Sequence, residues 1–177
     1  MKKVAVILAE GFEEIEALTS VDVLRRAGAI ASIVGLNDVN IKGCHNICVK
    51  ADVTLREMKE LDYDAIVLPG GLPGASNLAN DTRLKAILQN FDKSNKLICA
   101  ICAAPMVLES AGVLKDHFVC YPGFEENVRS DKRGYDNGKS VLKDQNIITA
   151  KGPAFSIEFA LFIVKKLLGD EAYLKVK

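Results

Sequence analysis

This sequence of 177 residues lacks several features that mark common classes of protein. Its 23 basic and 23 acidic residues leave no excess charge of either sign, so we expect no nucleic-acid partner and no need for a membrane. No apolar run approaches the roughly 20 residues of a membrane-spanning helix. Because internal repeats, low-complexity tracts and linkers are also absent, the sequence predicts a single domain over residues 1–177.

The sequence also lacks the marks of secretion. The apolar run near the start covers only residues 4–9, which is too short for a signal peptide, and no small-residue cleavage site follows it. The five cysteines are an odd number without a regular framework, a usage typical of a reducing compartment. We therefore expect a soluble cytoplasmic protein.

What the chain does contain is an alternation of short Val- and Ile-rich runs with longer segments of helical period. This alternation is typical of an α/β fold whose mostly parallel sheet is covered on both faces. The region 37–53 is less regular and predicts a hairpin or short edge strands. We predict strands over residues 4–10, 30–36, 63–71, 96–102, 117–122 and 146–153, and helices over residues 12–27, 76–94, 103–113 and 156–168.

Four of these strands end in unusual loops, with the sequences AEGFEEIE, LPGGLPG, CAICAAP and TAKGPAF. In open α/β sheets, ligands bind beyond the carboxyl ends of the strands. If the four strands are neighbours, all four loops meet at one edge of the sheet. We therefore expect the functional site there.

Cys102 lies at a sharp strand-to-helix transition within that edge. Small residues around it permit a tight turn of the kind that exposes a nucleophile, and a helix N-terminus behind it favours thiolate and lowers the pKa. Free cysteine is also among the most buried residue types. From its position alone, Cys102 is equally consistent with a buried core residue and with a reactive thiol.

Glu16 is the second candidate residue, because helical spacing places it at the rim of the apolar face of the first helix. A carboxylate beside a thiolate is repulsive, so the workable pair shares one proton, with a neutral Glu16 donating a hydrogen bond to the Cys102 thiolate. The neighbouring acids Glu13 and Glu14 have the ordinary interpretation of solvated residues in a first helical turn.

The glycine-rich turn after the third strand provides backbone donors. Gly70 and Gly71 let N–H groups approach a ligand atom and, with the N–H of Ala103, predict an oxyanion hole. The turn lacks the GxGxxG spacing, and no Walker lysine follows, which argues against a nucleotide site.

The segments AEGFEEIEA, VDVLRRAG, YDAIVLPGG, AICAAP and KGPAFSIEFAL together resemble the ThiJ/PfpI superfamily, and within it the Parkinson disease protein 7-like branch with its deglycase-like relatives. The resemblance implies a flavodoxin-like three-layer sandwich and a homodimer. It also implies that Cys102 is the nucleophile, that Glu16 is its partner and that Gly70, Gly71 and Ala103 form the anion pocket. Pro153, in the KGPAF segment, is a possible auxiliary residue.

The chain departs from the pattern of the family at two positions. Many members have a histidine just before a proline on a later strand, and here Tyr121 precedes Pro122. A tyrosine donates hydrogen bonds but is a poor base near neutral pH, so Tyr121 is an auxiliary candidate. Protease-like relatives have a histidine directly after the cysteine, where this chain has Ala103; a cysteine peptidase is therefore the least favoured interpretation.

The segment CHNIC offers Cys44, His45 and Cys48, but no second pair of ligands accompanies it in the sequence, so we predict no metal site. The first functional hypothesis is a cofactor-independent glyoxalase or deglycase that acts on methylglyoxal, glyoxal or their early adducts. The alternative is a redox sensor or chaperone that responds through oxidation of Cys102.

Overall fold

Seven strands form the central sheet of the protein, which a computed structural model describes over residues 1–177. All neighbouring strands are parallel except the last pair, which is antiparallel. In spatial order the strands are Val53–Thr54 (β5), Ile30–Gly35 (β2), Lys3–Leu8 (β1), Ala65–Leu68 (β6), Leu97–Ile101 (β7), Ile147–Ala150 (β9) and Val141–Asp144 (β8).

A small hairpin lies outside this sheet, and seven helices complete the fold. The hairpin pairs Asn40–Lys42 (β3) with Cys48–Lys50 (β4) in antiparallel fashion, as region 37–53 predicted. The helices are Glu14–Arg26 (α1), Gly74–Asn80 (α2), Thr82–Lys93 (α3), Pro105–Ser110 (α4), Glu125–Val128 (α5), Ser156–Leu168 (α6) and Asp170–Val176 (α7). None of them is long and apolar enough to cross a membrane.

The two faces of the sheet are covered by different helices. On β1, Val4 and Val6 point to a core shared with α1 and α6, whereas Ala5 and Ile7 point to a core shared with α2, α3 and α4. Side chains alternate between faces along a strand, and every one of these positions is fully buried. The predicted α/β sandwich, flavodoxin-like with a mostly parallel sheet, is therefore confirmed.

Two local predictions were wrong, and some elements were not predicted at all. The helix expected over residues 76–94 is two helices, because Asp81 interrupts it and caps α3 by accepting hydrogen bonds from the N–H groups of Arg83 and Leu84. The segment 117–122 is not a strand, since β8 occupies the place beside β9. Its buried residue Val119 donates its N–H to the Thr149 side chain instead. Neither β8 nor α7 was predicted.

The order of the sheet positions the functional site. Strands β1, β6, β7 and β9 are consecutive neighbours, and all run in the same direction. The four loops singled out in the sequence therefore follow adjacent strand ends, as expected.

Candidate active site

Cys102 follows β7 directly and has a left-handed backbone, with φ of 65°. Two hydrogen bonds hold this conformation: its N–H donates to the carbonyl of Ala150 at 2.9 Å, and its carbonyl accepts from the N–H of Tyr121 at 2.9 Å. Such a backbone is uncommon for a residue other than glycine, and it persists only where the surroundings impose it. The tight turn predicted at this position is present.

The surroundings of the Cys102 side chain differ from those of an ordinary core cysteine. Cys99, three residues earlier, is completely buried in the core, whereas Cys102 is only partly buried. A methyl group added at Gly152 would lie 3.9 Å from the Cys102 sulfur, so Gly152 forms one wall beside it. The turn therefore places Cys102 at the edge of the core rather than within it.

Glu16 lies in the first turn of α1 and has no solvent-exposed surface. Its Oε2 accepts a 2.6 Å hydrogen bond from the N–H of Gly70, while Oε1 is buried without a partner. Burial raises the pKa of Glu16 to about 7, and the charge of Glu13 adds to the effect; the contacts with Gly70 and Cys102 oppose it. A proton on Glu16 near neutral pH relieves the cost of a buried charge.

Glu16 and Cys102 meet at the α-carbon of Gly70. A methyl group added there would lie 2.6 Å from Cβ of Cys102 and 2.9 Å from Oε2 of Glu16, which leaves no room for a side chain. The thiol and the carboxyl group shift each other's pKa, although Oε1 makes no hydrogen bond of ordinary geometry. Glycine at position 70 therefore permits the pairing that the sequence predicted.

The pKa of Cys102 shifts in the direction opposite to our expectation. Burial raises the pKa of the thiol, and the negative charge of Glu16 raises it further; the N–H groups of Ala103 and Gly71 oppose this shift but do not reverse it. The sequence argument relied on the helix N-terminus and on a proton shared with Glu16, and it did not include the depth of burial. The physical reason for the correction is desolvation, which favours the neutral thiol.

Two of the three expected backbone donors face the sulfur. The N–H groups of Ala103 and Gly71 contact Cys102 closely enough to favour its ionised form. The N–H of Gly70 is already donated to Glu16, so Gly70 serves the carboxyl group rather than the anion pocket. Gly71 has φ of 85° and its α-carbon packs against the backbone of Gly11 and Glu13, so a side chain does not fit there.

Tyr121 and Pro153, the two auxiliary candidates, lie next to Gly152, but Cys102 is not among the residues that line the cavity they share. Together with five neighbours they line an open cavity of about 230 Å³. Tyr121 is 50% exposed, and its ring closes in on Gly152, where an added methyl group would lie only 3.0 Å from the ring. The cavity is lined by Tyr121, Pro122, Lys151, Gly152, Pro153, Ala154 and Phe155.

Neither of the two histidines of the chain is found at Cys102. His45 contacts Glu14, and His117 lies beside Asp144 on β8, with 3.5 Å between its Nδ1 and Oδ2 of Asp144. The structure therefore offers Glu16, rather than a histidine, as the titratable group next to the sulfur. Cys102 therefore has no histidine partner of the kind that a cysteine peptidase uses.

Glu13 and Glu14 were expected to be solvated, and this was wrong. Both are buried, because the β3–β4 hairpin folds over the start of α1 and brings Cys44 and His45 against their carboxyl groups. The sequence contained both halves of this cluster, as EE and CH pairs. These pairs come into contact only because segments about 30 residues apart pack together. The local sequence pattern does not reveal such a contact.

Comparison with known proteins identifies the family of the chain. A model of the DJ-1/PfpI family matches residues 2–166. The chain belongs to the DJ-1/PfpI family. The resemblance carried by the five sequence segments is thereby confirmed.

Relatives of this family are similar over nearly their whole length. The chain is 37% identical over 179 residues to the Parkinson disease protein 7 homolog of Danio rerio, covering 99% of this chain and 95% of the relative. It is 36% identical over 172 residues to the glutathione-independent glyoxalase DJR-1.2 of Caenorhabditis elegans, covering 96% and 91%. The crystal structure of Drosophila melanogaster DJ-1beta superposes with a TM-score of 0.94 at 36% identity, covering 99% and 95%.

Proposed function

We propose that this DJ-1/PfpI protein is a glyoxalase or deglycase that needs no cofactor and acts on methylglyoxal, glyoxal or their early adducts. The observation that carries the proposal is the combination of three features at Cys102. Its backbone is left-handed, the N–H groups of Gly71 and Ala103 lie close to it, and the buried Glu16 beside it has a pKa of about 7. A relative named as a glutathione-independent glyoxalase supports the choice of substrate.

The reaction begins when Glu16 takes the thiol proton and the thiolate of Cys102 attacks the aldehyde carbon of methylglyoxal. A carbon–sulfur bond forms and the carbonyl π electrons move to oxygen. The resulting oxyanion accepts hydrogen bonds from the N–H groups of Gly71 and Ala103, the donors nearest the sulfur. The proton held by Glu16 then passes to this oxyanion, which leaves Glu16 ionised and able to act as a base.

Glu16 next removes the hydrogen from the former aldehyde carbon and delivers it to the neighbouring ketone carbon through an enediol. The aldehyde carbon is oxidised and the ketone carbon is reduced, so no external electron carrier is consumed. The product is a thioester of lactate on Cys102. Attack by water releases lactate and restores the thiol. A side chain with a pKa near 7 is well suited to this transfer in both directions.

Turnover of methylglyoxal and glyoxal by the purified protein tests this proposal. We expect lactate or glycolate to form with the wild type and not with Cys102→Ala. Cys48→Ala is the matched control, because Cys48 is an exposed thiol on β4, and it should retain full activity. A wild-type protein without turnover, or a Cys102→Ala protein that keeps it, would overturn the enzyme assignment.

A redox sensor is the second candidate function. The same backbone donors that stabilise an oxyanion also stabilise the oxygens of a sulfinate, and Cys102 is partly exposed. Peptide mass spectrometry after graded peroxide treatment tests this function. Oxidation concentrated on Cys102 in a protein without dicarbonyl turnover would favour the sensor over the enzyme.

The proposal includes a cytoplasmic homodimer. Apolar residues lie exposed on the outer face of α1 and on the adjoining hairpin, namely Ile15, Leu18 and Ile47. Burial of such a patch against a second copy is favourable. Light scattering coupled to size exclusion should give twice the 19.2 kDa chain mass, and replacement of Leu18 by a charged residue should shift the protein to the monomer.

A further inference from the structure

A second group of reactive side chains lies where the hairpin meets the start of α1, apart from the Cys102 sulfur. It consists of Glu13, Glu14, Cys44 and His45, and one ligand atom from each lies within 4.8 Å of all the others. The set combines one sulfur, one imidazole nitrogen and two carboxylates. This cluster is not used in the proposed dicarbonyl reaction.

The burial of the cluster is unequal. The side chains of Glu13 and Glu14 are only 11% and 5% exposed, whereas that of His45 is 68% exposed. Buried charges in proteins are paired or coordinate a metal. The two carboxylates have His45 as their only cationic neighbour, and it lies on the solvent side of the cluster. A cation can therefore enter from solvent and would offset the charge.

The distances within the cluster are close to those between the ligands of one small cation, with the Glu13 contacts made by its two different oxygens. The Cys44 sulfur lies 3.2 Å from Nδ1 of His45 and 3.3 Å from Oε2 of Glu13. The nitrogen of His45 lies 3.0 Å from Oε2 of Glu14 and 3.5 Å from Oε1 of Glu13. Tetrahedral Zn²⁺, with bonds of about 2.0–2.3 Å, separates its ligand atoms by about 3.3–3.6 Å.

We propose that Glu13, Glu14, Cys44 and His45 form a binding site for a single divalent cation of the zinc class. The donor set selects this class, because thiolate and imidazole suit Zn²⁺, whereas Mg²⁺ and Ca²⁺ take oxygen ligands. The assignment departs from the sequence prediction of no metal site. That prediction considered the CHNIC segment alone, without the two acids that the fold places against it.

The supporting contacts orient Glu14 for this role. Its Oε1 accepts hydrogen bonds from the N–H groups of His45 at 2.8 Å and Ile47 at 3.3 Å, which leaves Oε2 directed at the other ligand atoms. Ligating carboxylates are commonly fixed in this way by outer hydrogen bonds. Gly43 makes the approach possible, because a methyl group there would overlap the Glu14 carboxylate.

The hairpin is held to the helix independently of any cation. The N–H of Cys44 donates to the carbonyl of Phe12, just before α1, at 2.9 Å. Within the hairpin, the N–H of Gly43 donates to the carbonyl of Ile47 at 2.9 Å and fixes the turn. The four ligands are therefore positioned before a cation arrives. Without a cation, the thiol proton is shared with Glu13, and burial and that carboxylate raise the pKa of Cys44 to about 12. Binding must then release the thiol proton.

Metal titration of the reduced, chelator-treated protein tests the site, in a Cys102→Ala background so that the Cys102–Glu16 pair contributes no thiolate. We expect one equivalent of Zn²⁺ to bind with release of a proton. Co²⁺ should give a thiolate charge-transfer band and the intense visible bands of a tetrahedral complex. Loss of an outer-shell contact costs about 10–100-fold in affinity, so Cys44→Ser and His45→Asn should each cost at least about 100-fold.

The matched control is Cys48→Ser, because Cys48 lies in the same hairpin, is exposed and is not among the four ligands. It should leave the affinity and the cobalt spectrum unchanged. Thermal unfolding of each metal-free variant checks that it is folded, and His45→Asn changes only an exposed side chain. Absence of stoichiometric binding, a cobalt complex without a thiolate band, or equal losses in Cys44→Ser and Cys48→Ser would show that the cluster is a hydrogen-bond network only.

Discussion

The N–H of Gly70 donates a 2.6 Å hydrogen bond to Glu16, and this holds a carboxyl group without exposed surface beside the sulfur of Cys102. The hydrogen bond accounts for one carboxyl oxygen and leaves the other buried without a partner. Because a buried oxygen without a donor favours protonation, this arrangement links the acid–base behaviour of the site to the stability of the fold.

The first prediction concerns stability and pH. The pKa of Glu16 rises from 4.5 to about 7 on folding, so the folded state holds the proton more tightly. The stabilisation is complete below pH 4.5 and is lost as the pH rises through about 7. Relative to wild type, the unfolding free energy of Glu16→Gln should therefore increase by up to about 3 kcal/mol across this interval. Urea unfolding of both proteins at several pH values measures it, and parallel pH profiles would contradict it.

The second prediction concerns the reactivity of the thiol. Cys102 and Glu16 titrate as a pair, so loss of the first proton near pH 7 creates a fixed fraction of thiolate beside a neutral carboxyl group. The rate of alkylation of Cys102 by iodoacetamide should rise to about pH 7, level off, and rise again at high pH. Glu16→Gln should abolish the first step. Peptide mass spectrometry measures these rates, with the exposed Cys48 as the internal control.

The third prediction separates two roles of Glu16. Neither Glu16→Gln nor Glu16→Leu can accept and return a proton, so kcat for methylglyoxal should fall about 10²–10⁴-fold in both. Only Leu also leaves the Gly70 N–H without an acceptor, which should cost about 1–3 kcal/mol of stability. Steady-state kinetics and urea unfolding measure the two effects separately. Full turnover in Glu16→Gln would place the base elsewhere.

The fourth prediction concerns Tyr121, which stands where many family members have a histidine. Glu16 already lies next to the sulfur, so we expect no further base to be needed. Tyr121→Phe should therefore lower kcat by well under the 100-fold typical of a group that transfers the proton, and Tyr121→His should raise it modestly at most. A gain of several hundredfold in Tyr121→His would show that this chain lacks its base, and would favour the sensor.

Much of the fold was accessible from the sequence. The continuous apolar runs of β1, β6 and β7 are typical of strands buried on both faces, and these strands and β9 are indeed neighbours. Because these strands are parallel neighbours, the four loops that follow them lie at the same edge of the sheet. The turn at Cys102 was also predicted, because small residues and a proline follow the strand directly.

The errors have a common physical origin in contacts between distant segments. Residues 118–120 are as buried as any strand, but burial alone does not decide which segment pairs with β9. Glu13 and Glu14 look solvated until the hairpin covers them. The direction of the Cys102 pKa shift depends on the depth of burial, which the local sequence does not contain.

The left-handed backbone of Cys102 lowers the stability of the fold at the residue that supplies the reactive sulfur. That conformation costs an L-amino acid about 1–2 kcal/mol and costs glycine almost nothing. We therefore expect Cys102→Gly to be more stable than Cys102→Ala by about 1 kcal/mol, the reverse of the order found in helices, with urea unfolding as the measurement. Selection for stability alone would favour glycine at this position. The presence of cysteine therefore indicates that part of the stability of the fold is lost in exchange for a sulfur atom at the turn.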